Sequence, residues 1–225
     1  MTLGSKIAAG VATSGTAVGG GFLAHSLISK EEERKTLSKK LSEDGFTPLD
    51  TDVSKTDGSW QTIFDKYKLL TNQKAHLKIQ GLTLGSSENQ QGGIIKLKAE
   101  CSKLLKIEED SSDLEKNYQL ASKWCVKPIS VETLLKARGI TYLDTSSNTE
   151  EWTKIAKRYE SDKNAQKDTI MSDVTNWTTV SDNNYSANIK LIQDACNSRK
   201  TKNSYEEDFE KSLKETQSWC VVSSE

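Results

Sequence analysis

Only two prolines and two histidines occur in the 225 residues, and aromatic side chains make up 7% of them. Pro48 and Pro128 interrupt little of the chain, and a composition rich in Lys, Glu, Ser and Leu favours helix. With His25 and His76 as the only imidazoles, no serine or cysteine has a nearby base to activate it, so duplicated histidine-dependent chemistry is excluded. No C-x-x-C pair occurs, so no zinc site is expected, and Gly92-Gly93 is not followed by the Gly-Lys-Ser/Thr of a phosphate loop. Charge of one sign is also missing: 31 basic and 32 acidic residues are well mixed, which argues against a nucleic-acid partner. These absences leave no catalytic, cofactor-binding or metal-binding residue to nominate, and the expectation is that the chain is not an enzyme.

What is present begins with an uncharged run from Ile7 to Ser29, bracketed by Lys6 and Lys30. As a helix it would span about 34 Å, against a hydrocarbon core of about 30 Å. It is weakly hydrophobic and contains Gly15-x-x-x-Gly19, a spacing that lets membrane helices approach closely. Three readings compete for residues 1–30: a membrane anchor, which is favoured, a cleaved signal peptide, and a Gly/Ala-rich tail. The expected topology is single-pass in the cell membrane through residues 7–29, with the long domain extracellular.

The rest of the chain is duplicated. Gly45-Phe46-Thr47-Pro48-Leu49-Asp50-Thr51 returns as Gly139-Ile140-Thr141-Tyr142-Leu143-Asp144-Thr145. Trp60-x-x-Ile63-x-x-x-Tyr67 returns as Trp152-x-x-Ile155-x-x-x-Tyr159, and Asp113-Leu114-Glu115-Lys116 as Asp208-Phe209-Glu210-Lys211. Cys101 and Cys125, 24 positions apart, return as Cys196 and Cys220, again 24 apart, and each copy closes with Trp-Cys-Val. Copy one covers 31–127 and copy two 128–225.

The pattern predicts a mainly α fold: an N-terminal membrane-type helix, then two tandem four-helix-like modules with long polar loops. The first helix carries Leu37 and Leu41 and ends at Gly45. Its partner opens at Ser130, a good N-cap, and ends at Gly139. The second helix places Trp60, Ile63, Phe64 and Tyr67, or Trp152, Ile155, Ala156 and Tyr159, on one stripe. Phe64 against Ala156 means the two cores cannot pack identically. Cys101 and Cys196 fall in the third helix. The fourth is expected to open with capping boxes, Ser112-x-x-Glu115 and Ser204-x-x-Glu207. The stretches Thr71–Gly93 and Ser161–Ala187 match poorly and are read as polar loops, with a short strand at Leu77–Ile79.

Four cysteines allow three pairings. Cys101–Cys125 with Cys196–Cys220 gives each copy its own staple and is favoured. A simple hairpin turning near residue 109 would leave Cys125 about 12 Å too far along the axis. That requires an asymmetric loop or a cysteine beyond the helix end. Pairing between copies and four reduced thiols are the alternatives. Trp60, Trp124, Trp152 and Trp219 read as core, and Trp177 as the better candidate for a surface contact. Asp50 and Asp144 read as turn residues.

A Gly/Ala-rich N-terminal segment followed by two arms, each with Gly-x-x-x-Leu, Trp-x-x-Ile-x-x-x-Tyr and a closing Trp-Cys, resembles the expanded paralogous protein families of haemotropic mycoplasmas. The resemblance covers nearly the whole chain. It implies a surface-exposed protein that supports host interaction or antigenic variation, with host proteins or antibodies as partners. It supplies no catalytic residues. A rival expectation is a structural membrane protein that forms a homo-oligomer through Gly15 and Gly19.

Overall fold

The computed structural model describes residues 35–85, 88–180 and 184–222. The expected membrane segment, with Gly15 and Gly19, lies outside them. Among the described residues no helix is long and apolar enough to cross a membrane. The architecture is mainly helical, with isolated bridges and no strand among the described residues.

Copy one contributes α1 (Leu37–Glu43), α2 (Gly58–Gln73), α3 (Gln90–Leu105) and α4 (Leu114–Trp124). Copy two contributes α5 (Val131–Ala137), α6 (Thr149–Asn164), α7 (Ser186–Lys200) and α8 (Phe209–Trp219). Local chemistry sets several ends. Thr36 and Ser130 cap α1 and α5 by accepting the N–H of Lys39 and Thr133. Gly45 and Gly139 follow those helices at φ +88° and +73°, where a Cβ would be strained. The stripes of α2 and α6 are buried as expected, including all four residues of each.

Each module closes on itself through the same main-chain ties. Leu37 N–H donates to Ile107 O and Val131 N–H to Lys202 O. Leu49 N–H donates to Cys125 O and Leu143 N–H to Cys220 O. The four isolated antiparallel bridges repeat in the same way, Thr36 with Glu108 and Pro48 with Val126, then Ser130 with Asn203 and Tyr142 with Val221. The duplication is therefore one of three-dimensional frame as well as of sequence.

Three local expectations change. The capping boxes do not form: α4 and α8 start after Asp113 and Asp208, neither of which caps through its side chain. The residues before them are spent in turns, with Leu114 N–H on Ser111 O and Phe209 N–H on Glu206 O. At Leu77–Ile79 there is no strand but a 3-10 turn, Ala75–Leu77, followed by extended chain. The long loops are polar only on their outer side. Leu77, Ile79, Met171 and Val174 are buried, so these segments are straps laid across the helices.

Residues 34–225 form one compact unit. One apolar cluster holds the core of copy one together with Val131, Leu134, Leu135, Phe209 and Leu213 from copy two. A second holds α6, α7 and the strap of copy two. Packing thus runs across the 127/128 joint. Phe46 lies 6.5 Å from Phe209 and 6.4 Å from Tyr118, ring centre to ring centre. Arg138 Nε donates to Asp44 O at 2.8 Å. The buried Lys123 ammonium donates to the carbonyls of Ser204 and Glu206, and burial lowers its pKa.

Candidate functional site

The four cysteines pair within the copies. Cys101–Cys125 and Cys196–Cys220 are disulfides with Cα separations of 5.4 and 5.7 Å, fully buried. The axial offset is absorbed in both ways the sequence required. Cys125 and Cys220 sit one residue beyond α4 and α8, at φ near −120°, where the chain has left the helix. The linkers 106–113 and 201–208 are not tight hairpins: Ile107 and Lys202 first pair with the start of α1 and α5.

The four repeat-matched tryptophans are buried, and each indole N–H is spent on a main-chain carbonyl. Trp60 donates to Asp50 O at 3.1 Å and Trp152 to Asp144 O at 2.9 Å. Trp124 donates to Leu77 O at 2.9 Å and Trp219 to Thr169 O at 2.7 Å. The last two pin the straps to the helices. Trp177 does not stand free as a surface contact: it is half-buried against Tyr159, with ring centres 4.8 Å apart. Asp50 and Asp144 organise turns by accepting the N–H of Asp52 and Ser146. The Lys55 ammonium holds the Asp50 carboxyl below its ordinary pKa, and the Ser146 N–H does the same for Asp144. His76 is exposed, and among the described residues no three His, Cys, Asp or Glu side chains converge to hold a metal ion.

Sequence reasoning missed a charged network in copy two. Arg199 and Glu215 are both buried, and Arg199 Nε donates to Glu215 Oε2 at 2.6 Å. The same guanidinium forks onto Asp173 at 2.6 and 2.9 Å and reaches Ala195 O at 3.0 Å. Those hydrogen bonds depress the Asp173 pKa. Glu215 Oε1 and Thr216 Oγ1 are buried without a hydrogen-bond partner. Counted from the cysteines, Arg199 matches Leu104 and Glu215 matches Leu120. A charge standing where the other copy buries leucine was the available signal.

Cavities beside the helices of copy one include two next to buried aromatic residues. The first, of about 340 Å3, sits between the opening turns of α2 and α3 beside Val53, Trp60 and Ile95. Its one buried charge, Lys98, is spent on the loop before α2, donating to Asp52 O at 2.9 Å and Lys55 O at 2.6 Å. The second lies under the strap of copy one, beside Tyr67. No family model, no curated protein and no solved structure matches this chain.

Proposed function

We propose that the chain is a membrane-anchored protein whose two-module domain lies outside the cell and offers its straps to a macromolecular partner, a host protein or an antibody. The observation that carries this reading is the contrast between frame and straps. Disulfide, bridges and buried tryptophans recur in both copies. The straps over that frame are rebuilt, with Leu77 and Ile79 anchoring one and Met171, Val174 and Trp177 anchoring the other. Disulfides persist in oxidising surroundings, which supports export of the domain. The uncharged run at residues 7–29 supports an anchor. In this reading the domain binds rather than catalyses.

Protease treatment of intact cells tests it. The reading expects cleavage within the straps or loss of the whole domain while cytoplasmic proteins survive. A domain that stays intact until the cells are lysed contradicts it.

A further inference from the structure

The buried ionic pair of copy two reaches the surface at Asp173, on the second strap. Asp173 is half exposed and accepts both arms of the Arg199 guanidinium, at 2.6 and 2.9 Å. Arg199 itself is 6% exposed. On its inner side Nε donates to Glu215 Oε2 at 2.6 Å, and Nη1 also reaches Ala195 O at 3.0 Å. Two lysines reach the same strap from α8, Lys214 to Asp168 at 2.9 Å and Lys211 to Ser172 at 3.2 Å. Both lysines are exposed, so neither can hold the strap firmly.

The first strap has no counterpart of this clasp. Main-chain ties align the two straps: the tryptophan acceptors are Leu77 O and Thr169 O, and the tyrosine hydroxyl partners are Ile79 N and Met171 O. The next turn is Leu82 N–H on Ile79 O in one and Val174 N–H on Met171 O in the other. All three pairs stand 92 residues apart, so Asp173 falls on Gly81. Gly81 takes φ +91°, and a Cβ there would meet Glu100 Oε2 at 3.3 Å. An aspartate at that place would face a carboxylate instead of a guanidinium. Three positions on three segments therefore differ together between the copies: Gly81 and Asp173 on the straps, Leu104 and Arg199 on α3 and α7, Leu120 and Glu215 on α4 and α8. A buried charge is tolerated only when its partners arrive with it, and here one partner lies on the strap.

We infer that Arg199 is a lock that sets the shape of the second strap from inside the module. Glu215 holds the guanidinium in place, and the two-pronged bond to Asp173 fixes direction as well as distance. Releasing the lock loosens the strap around Val174 while the disulfide-bonded frame stays folded, a local opening and not a global one. With the lock closed, a partner meets a surface already shaped and does not have to order it on contact. This deepens the reading of the straps as the binding surface, but its test requires no partner, so either reading can fail without the other.

Amide hydrogen exchange in the oxidised full chain reads the lock at two counterpart amides. Val174 N–H donates to Met171 O at 3.1 Å and Leu82 N–H to Ile79 O at 3.2 Å, the same turn in each strap. Asp173→Asn, a change at the surface, should lower the protection factor of Val174 by roughly fivefold or more and leave that of Leu82 within roughly twofold. Arg199→Leu with Glu215→Leu should lower Val174 in the same way, while the Leu143 amide, bonded to Cys220 O in the frame, keeps its protection. Asp173→Asn decides alone if the double variant does not fold. Unchanged protection of Val174 in Asp173→Asn, or an equal loss at Leu82, overturns the inference.

Discussion

Leu104 and Leu120 of the first module occupy the helix positions that Arg199 and Glu215 occupy in the second, and all four are buried. Phe64 lies over Gly93 in the first, where the second has Ala156 and a buried Asn188 bonded to Thr178. The same frame therefore tolerates an apolar interior and an ionic one, and a large ring over a glycine or a small residue beside an amide. Two things follow. The frame is set by the features both copies share, the disulfide, the buried tryptophans and the main-chain bridges. The differences come in compensating pairs, because in a close-packed interior neither partner of a pair can change alone.

The largest effect is expected where one member of the ionic pair is removed. Arg199→Leu leaves the buried Glu215 carboxylate with only the exposed Lys211 ammonium, 3.8 Å from Oε1, and should cost about 3 kcal/mol. Arg199→Leu with Glu215→Leu copies the first module and should recover most of that loss in urea denaturation. A double variant no more stable than the single one would show that the two modules are not interchangeable at these positions. Next come the staples. Replacing Cys101 and Cys125, or Cys196 and Cys220, by alanine opens loops of equal length, so each should cost about 3 kcal/mol. A clear inequality between them would show that one module carries the fold.

Gly93→Ala ranks third. Its Cβ would lie 2.3 Å from the Phe64 ring, and the helix has to shift or the ring to move. The expected cost is about 1–3 kcal/mol, less in a Phe64→Ala background. The smallest effect is in pH. The Asp173 pKa is depressed in the folded chain by Arg199. Its stabilisation is complete above the ordinary carboxylate pKa and is lost as pH falls through the lowered one. Asp173→Asn should flatten stability between pH 5 and acid relative to the wild type, an expectation about the slope alone.

The elements shared by both copies were legible, because a period of 3.6 buries one stripe and the second copy repeats it in register. Trp60, Ile63 and Tyr67, the glycines after α1 and α5, and the cysteine pairing all belong to this class. The straps were not legible. Leu77, Ile79, Leu82, Met171 and Val174 are too few and too irregularly spaced to show periodicity, and their burial depends on helices distant in sequence. The capping boxes misled because serine and glutamate at that spacing serve turns equally well. The Phe64 to Ala156 change was visible, but its compensation at Gly93 and Asn188 lies on another helix. Arg199 and Glu215 were legible in principle, since a charge opposite a leucine in an otherwise matched helix marks an altered interior.

Peptide mapping of the unreduced protein by mass spectrometry tests the duplicated frame most directly. The account predicts two cross-linked peptide pairs, Cys101 with Cys125 and Cys196 with Cys220. Cross-links between the copies, or four free thiols in protein recovered from cells under alkylation, would contradict it.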